Sequence, residues 1–159
     1  MKLSELFVLS VIFLLLSFID SKINLFLLNN LAISNLVYLF FCYICFKNPQ
    51  KINSFFGAYI GFLLDLHQNV FFGLHASLFT LTVIIINYNY FRFRMFSALQ
   101  ITVSFSLLTT FFVGFRSIFL TTMNFQYLVI FLSFLVAFVS YLLIVFFEKL
   151  FLKKNLIHE

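Results

Sequence analysis

A carboxylate and two imidazoles near the middle of this chain are the side chains best able to do chemistry. Asp65, His67 and His75 lie close together in a sequence that is otherwise largely apolar. Such a group could bind a metal ion, transfer a proton or form an ion pair. The spacing matches no zinc motif and no fourth ligand accompanies it, so we expect neither a metal nor another cofactor here.

A stripe of glycines leads up to this carboxylate. Gly57, Gly61 and Asp65 are spaced four residues apart, so they lie along one face of a helix. Glycines at this spacing let a second helix approach closely, as in pairs of membrane helices. Asp65 continues the same face, and burying an ionisable group at that depth costs at least ~2.5 kcal/mol. The folded protein must compensate this cost.

Two interpretations of Asp65 remain open. In the first, the carboxylate is structural or docks a partner, and is hydrogen-bonded to a helix end or paired with a nearby basic side chain. Its candidate partners are His67, His75 and Arg116. In the second, Asp65 is a proton or substrate site of a transporter, a class that usually carries several such groups and broken helices in repeated halves. The sequence shows no clear repeat, which favours the first interpretation.

The composition places the whole chain in a membrane. Of its 159 residues, 64% are hydrophobic and 9% are charged, and the mean hydropathy is +1.12. A soluble domain is about a quarter charged. We therefore predict a single integral membrane domain over residues 1–159. The net charge is +5, and the basic residues lie at the edges of apolar runs. This placement indicates contact with lipid rather than with nucleic acid.

Apolar runs separated by charged and polar residues predict about six membrane-spanning helices. The predicted spans are 3–19, 32–46, 53–66, 71–86, 97–114 and 127–147. Asp20, Ser21 and Lys22 are expected to close the first span, and the short apolar segment 25–31 is expected at the membrane interface. Residues 87–94 alternate rings with arginines and are expected to form a loop anchored at the lipid head groups.

The distribution of basic residues predicts the orientation of these spans. Six spans place both termini on one side of the membrane. If that side is cytoplasmic, it holds Lys2, Lys47, Lys51, Arg92, Arg94, Lys149, Lys153 and Lys154, whereas the outer side holds Lys22 and Arg116. Cytoplasmic loops carry the excess of lysine and arginine, so both termini are predicted to be cytoplasmic.

Other polar and small residues are typical of helix packing. Gln100 and Ser104 form a polar face on the fifth span, where we expect the amide to bond another helix. Ser133, Ala137 and Ser140 give the sixth span a face of small residues.

The Cys42 and Cys45 pair matches C-x-x-C. A redox dithiol needs a lowered thiol pKa, but this pair lies late in its predicted helix, where the helix dipole opposes a thiolate. We interpret the two cysteines as small apolar side chains. The chain also has no nucleophile elbow and no glycine-rich phosphate loop, so we expect no enzymatic activity.

The order of these features resembles the rod shape-determining protein MreD family. The resemblance rests on the helix from Gly57 to Asp65, on residues Phe72–Ala76 and on Gln100. The family pattern is G-x-x-x-G-x-x-x-D, then a few polar residues, a loop glycine and a further apolar helix. A basic residue often stands at the position of His75. The close match covers about a third of the chain, and the rest agrees in length and number of spans.

The resemblance implies an all-α, polytopic membrane protein that is a non-catalytic component of the bacterial cell-elongation machinery in the inner membrane. It implies contacts with the bitopic protein MreC, with the elongation glycosyltransferase and transpeptidase, and with the MreB filament, directly or indirectly. Such a protein helps to organise lateral peptidoglycan synthesis. The residues expected at helix packing or a partner interface are Gly57, Gly61, Asp65, Gly73, His75 and Gln100.

The same family is similar in fold to the substrate-binding subunits of energy-coupling-factor transporters. The alternative function is therefore a membrane subunit that binds a small, vitamin-type molecule for a transporter. That function needs a pocket with several convergent polar groups. The candidates on the predicted outer side are Asp65, His67, Gln68, Asn69, His75 and Arg116.

Overall fold

The computed structural model is built of α-helices. It describes residues 3–28, 33–49, 51–68, 71–120 and 127–155. Within these residues there are seven helices and no strand. They are α1 (Leu3–Leu28), α2 (Leu36–Lys47), α3 (Ser54–Gln68), α4 (Leu74–Tyr88), α5 (Tyr90–Met95), α6 (Ala98–Leu120) and α7 (Tyr127–Asn155).

Length and hydropathy identify α1, α6 and α7 as helices able to cross a membrane. The spanning stretches are Glu5–Leu27, Ala98–Ile118 and Tyr127–Phe146, and α2 and α4 are shorter apolar helices. Large apolar side chains cover the outside of the bundle, including Phe26 at 73% and Phe55 at 89% exposure. The prediction of an all-α membrane protein is therefore confirmed at this level.

The core is a cluster of aromatic side chains between α2, α4 and α6. Phe41 and Phe79 lie with ring centroids 4.4 Å apart, and Tyr38 stacks on Phe112 at the same distance. Tyr38 also lies with its hydroxyl 2.5 Å from Oγ1 of Thr82. Because Thr82 donates its own proton to the Leu78 carbonyl, Tyr38 is the donor in this pair. The short apolar helices α2 and α4 are thus held at the centre of the bundle.

The first helix is longer than predicted, because its charged residues do not end it. α1 continues through residues 20–22 to Leu28, so residues 25–28 are helical rather than a separate interfacial segment; residues 29–31 lie outside the described part of the chain. Asp20 is 5% exposed, and its Oδ1 accepts a hydrogen bond from Ser34 Oγ at 2.5 Å. A tertiary partner therefore satisfies the carboxylate that was expected to stop the helix.

The stretch 87–94 is also helical, contrary to the prediction of a loop. α4 runs to Tyr88, and after Asn89 the short helix α5 follows. Its Phe93 is buried against Phe46 and Phe105, while Arg92 and Arg94 are exposed. The buried ring and the absence of glycine and proline explain why the segment is helical instead of forming a loop.

The bundle has two distinct ends. At one end, here the hairpin end, residues 71–73 lead into α4. The helices α1, α3 and α6 end on this side. The first part of α7 also lies here, where Ser133 Oγ accepts a hydrogen bond from Ile33 N. The opposite end, here the basic end, carries Lys47, Lys51, Arg92 and Arg94. There Lys47 of α2 forms an ion pair with Glu148 of α7.

The small-residue face of α7 is used for packing, with one change. Ser133 and Ala137 are buried, and the face continues to Tyr141, which is 2% exposed. Ser140 is only partly buried and donates its hydroxyl to the Val136 carbonyl of its own helix. A tyrosine, rather than the second serine, completes the face.

Candidate functional site

The glycine stripe of α3 is the line along which α3 meets α4. A Cβ atom built on Gly61 would lie 2.4 Å from Cα and 2.5 Å from N of Ala76. One on Gly57 would lie 3.0 Å from the carbonyl oxygen of Phe79 and from Cγ2 of Val83. Backbone atoms cannot yield as a flexible side chain can, so the close approach of the two helices requires glycine at Gly61, while a Cβ at Gly57 would be in tight contact.

Asp65 binds the start of α4. Its Oδ2 accepts hydrogen bonds from the backbone N–H of Gly73 at 2.9 Å and of Ala76 at 3.4 Å. Its Oδ1 accepts one from the N–H of His75 at 3.0 Å, and the His75 ring places Nδ1 2.7 Å from the same oxygen. A carboxylate only accepts, so this imidazole nitrogen carries the proton. The side chain is 1% exposed, and these donors compensate its burial.

The free N–H groups at a helix start need partners, and those at the start of α4 are all satisfied. Leu74 N–H donates to the Phe71 carbonyl and Ser77 N–H to the Gly73 carbonyl. The two N–H groups between them go to Asp65, which also places a negative charge at the positive end of the helix dipole. Asp65 therefore caps α4 from another helix, the role that Asp or Ser at the N-cap position usually performs.

Gly73 makes this cap possible. Its φ is 94°, in the left-handed region, and its N–H points at Asp65. A left-handed residue other than glycine costs roughly 1–2 kcal/mol. No atom lies within 4 Å of a Cβ built at Gly73, so the requirement for glycine is conformational rather than steric.

His75 connects the cap to the aromatic core. It is 2% exposed, and its ring centroid lies 5.4 Å from that of Phe112 and 6.4 Å from that of Phe79. The imidazole thus bridges the carboxylate of α3 and the rings of α4 and α6. Of the partners considered for Asp65, the structure brings His75 and a helix end to it.

His67 and Arg116 lie elsewhere. The His67 ring packs against Phe18 of α1, with centroids 4.4 Å apart. His67 and Arg116 both line a polar cavity of about 250 Å³ between α1, α3 and α6 at the hairpin end. Its lining is Asp20, Ser21, Asn24, His67, Gln68 and Arg116; we call it the polar cavity.

Gln100 does not play the expected part. It is exposed, and its Oε1 accepts a hydrogen bond at 2.9 Å from the N–H of Ser97. The N–H of Gln100 lies 3.4 Å from Ser97 Oγ. This is a capping box at the start of α6. The Gln100 amide was expected to bond another helix, and instead its oxygen bonds the backbone at the start of its own helix. The S-x-x-Q spacing from Ser97 to Gln100 was the sequence signal for this capping box.

Asp20 is the functional candidate that sequence reasoning missed. Besides the Ser34 hydroxyl, its Oδ1 accepts a hydrogen bond at 3.3 Å from the N–H of Leu36 at the start of α2. Asn24 reinforces the junction, since its side chain pairs with both N–H and C=O of Ser34. α2 is thus held at its start by Asp20, as α4 is by Asp65. The signal was an aspartate followed by more apolar helix instead of a break.

Metal and thiol chemistry find no assembled site in the described residues. No group of three or more histidine, cysteine, aspartate or glutamate side chains that could hold a metal ion occurs in them. Cys42 and Cys45 are both fully buried and unbonded to each other, where they pack as small apolar side chains in α2.

Compared with known proteins, the chain matches no protein-family model, no curated protein and no solved structure.

Proposed function

We propose that this protein is a non-catalytic inner-membrane component of the bacterial cell-elongation machinery, of the MreD type. The observation that carries the proposal is the α3–α4 hairpin. The segment that resembles the family, from Gly57 to Ala76, is one structural unit in which glycines allow close contact and Asp65 caps the facing helix. The resemblance therefore falls on residues that act together.

The chemistry of Asp65 supports a scaffold rather than a proton-coupled transporter. Each carboxylate oxygen already accepts at least two donors from residues 73–76. A carboxylate engaged in this way is poorly placed to exchange a proton or to hold a substrate, because either step would break these hydrogen bonds and leave several buried donors unpaired.

In the proposed topology, α1, α2, α3, α4, α6 and α7 each cross the inner membrane, with both termini in the cytoplasm. The basic end then faces the cytoplasm, in line with the excess of lysine and arginine on that side. α2, α3 and α4 have 12, 15 and 15 residues, shorter than the ~20 that a full span needs. Contact with the long helices and local thinning of the bilayer accommodate them.

The proposed partners are an MreC-type bitopic membrane protein, the elongation glycosyltransferase and transpeptidase, and the MreB filament. Inside the membrane the partner surface would be the exposed apolar faces of the bundle. At the cytoplasmic surface, α5 with its exposed Arg92 and Arg94 would lie among anionic head groups.

Variants of Asp65 test this function. Asp65→Asn keeps an acceptor for the two donors of His75 but turns an amide toward Gly73 and Ala76, so we expect it to retain a large part of function. Asp65→Leu leaves all these donors unpaired, at a cost of roughly 1–3 kcal/mol for each, and should abolish it. The assay is rescue of a rod-shape defect, with co-purification of the bitopic partner, at matched membrane levels.

The outcome distinguishes scaffold from transporter. A proton-coupled site requires the acid, so Asp65→Asn would then be as inactive as Asp65→Leu. A stably inserted Asp65→Asn protein that co-purifies with its partner but fails to rescue cell shape would contradict the scaffold assignment.

The alternative, a vitamin-binding transporter subunit, is favoured by one observation, the polar cavity. Its volume of about 250 Å³ is below the ~300–1,000 Å³ range of pockets that enclose drug-sized ligands. Binding of a vitamin to the purified chain, lost in Arg116→Gln, would support this alternative.

A further inference from the structure

Most of the polar groups around the polar cavity are already engaged. Asn24 uses both ends of its amide on Ser34, and Ser21 donates to the Ser17 carbonyl of its own helix. Asp20 is held through Oδ1 by Ser34 and Leu36. These contacts fix one wall of the cavity along α1.

Two groups on the other walls keep unused capacity. Oε1 of Gln68 is buried and accepts no hydrogen bond from the described residues, although Nε2 of the same amide donates to Ser17 Oγ at 3.3 Å. Arg116 forms no ion pair with Asp20 or with any other described residue. Asp20 lies in the same cavity and attracts Arg116 across it, but it makes no direct contact with the guanidinium, whose N–H groups are therefore left for another partner. A buried acceptor without a donor and a guanidinium without a direct ion pair are both costly inside a membrane protein.

We propose that the polar cavity binds a small zwitterion that combines an oxoanion with a primary ammonium group. The planar guanidinium of Arg116 suits a phosphate or carboxylate, which it can bind through two parallel hydrogen bonds. Gln68 Oε1 can accept an N–H from the ammonium group, whose charge is also attracted to Asp20. A simple anion would meet the repulsion of Asp20, so the mixed charge of the lining selects a ligand of mixed charge.

The volume limits the size of this ligand. About 250 Å³ equals roughly eight water molecules at ~30 Å³ each, enough for a phosphoethanolamine group or a small amino acid. The same chemistry comes from two sources, the head group of a phosphatidylethanolamine lipid and a free solute. The cavity lies where α1, α3 and α6 finish, at the end of the bundle opposite the basic end. The inference does not depend on the proposed cell-shape role.

Binding to the full chain in neutral detergent tests the proposal. The probes are short-chain phosphatidylethanolamine, its choline and glycerol analogues, free phosphoethanolamine and glycine, and the readouts are thermal stabilisation and native mass spectrometry. We expect the ethanolamine lipid to bind about tenfold more tightly than the choline analogue, which has no N–H donor for Gln68. If the free phosphoethanolamine binds as tightly as the lipid, the ligand is a solute; if only the lipid binds, it is a head group.

Three variants locate the site. Arg116→Gln should weaken binding about tenfold or more, whereas Arg92→Gln at the basic end should not change it. Gln68→Met should bring the ethanolamine and choline lipids to equal affinity, and this ratio decides the matter if Arg116→Gln does not fold. The proposal would be overturned if none of the probes bound saturably. It would also be overturned if the ratio of ethanolamine-lipid to choline-lipid affinity were the same in the unsubstituted chain and in Gln68→Met.

Discussion

At the scale of single residues, two buried aspartates have the same task. Asp65 binds the first N–H groups of α4, and Asp20 binds the first N–H of α2 and the hydroxyl of Ser34. Each carboxylate comes from the preceding helix rather than from the residue before the capped helix. In an apolar environment the unpaired N–H groups of a helix start would be costly, and a carboxylate from a neighbouring helix satisfies several at once.

Gly73 provides a clean test of the α4 cap. Gly73→Ala should destabilise the protein by roughly 1–2 kcal/mol, because its φ of 94° is unfavourable for any residue with a Cβ. Gly73→Asn should cost less, since asparagine tolerates this conformation. The measurement is the Tm of each variant in detergent. An unchanged Tm in Gly73→Ala would mean that the left-handed turn is not needed.

At the scale of elements, two glycines of α3 face α4 in the α3–α4 hairpin, and they are not equivalent. At Gly61 the obstacle is the backbone of Ala76 at 2.4–2.5 Å, whereas at Gly57 the nearest atoms are at 3.0 Å and one belongs to a side chain. The hairpin should therefore tolerate added volume at its open end better than next to Asp65.

Alanine substitutions should rank the glycines. We expect Gly61→Ala to cost about 3 kcal/mol and Gly57→Ala about 1 kcal/mol, the range known for overpacking. Gly114 in α6 is the matched control, because its Cβ would find only Ile130 Cδ1 at 3.9 Å; Gly114→Ala should be neutral or slightly stabilising. Tm and membrane accumulation measure all three. Equal tolerance of Gly61 and Gly114 would show that the α3 stripe does not face a helix.

The ion pair between α2 and α7 predicts a pH dependence. Partial burial raises the pKa of the Glu148 carboxyl, but hydrogen bonds from Lys47 and Tyr43 outweigh this and hold the pKa below its usual 4.5. A carboxyl with a lowered pKa stabilises the folded state above the unfolded pKa, and that contribution is lost as the pH falls through the folded pKa. The pair is partly exposed, so we expect it to contribute less than about 1 kcal/mol.

A double-mutant cycle isolates this contribution. Glu148→Gln and Lys47→Met should each lower the Tm slightly at pH 7, the double variant should lower it no further, and the coupling should vanish in acid. Coupling that persists well below the usual pKa of glutamate would show that the charge of Glu148 is not its source.

At the scale of the whole molecule, the proposed six-span topology can be read from accessibility. Single cysteines at Lys51 and Ser97, both exposed at the basic end, should be shielded from an impermeant thiol reagent in intact cells. One at Phe72, which is 71% exposed at the hairpin end, should react. The native Cys42 and Cys45 are fully buried, so the unsubstituted chain is the control. Labelling at Ser97 but not at Phe72 would contradict the orientation.

Local patterns in the sequence determined the membrane class and the α3–α4 hairpin. The spacing of Gly57, Gly61 and Asp65 predicted a helix face that meets another helix closely, and α4 lies against that face in the structure. The carboxylate was expected at a helix end or at His75, and it binds both. These features are readable because α3 and α4 follow each other in the chain across a short connection, and helical periodicity places Gly57, Gly61 and Asp65 on one face of α3.

Only the tertiary structure decided the features that join distant segments. The partner of Asp20 is Ser34, which lies beyond the end of α1 in the segment that leads into α2, and the polar cavity takes residues from α1, α3 and α6. Which polar groups meet across such distances depends on the rotation and register of each packed helix, which the pattern of one helix does not specify. The same reason explains why α1 continues past Asp20. Hydrogen bonds from Ser34 and Leu36 offset the free-energy cost of burying the carboxylate, and the local sequence around Asp20 does not reveal these partners.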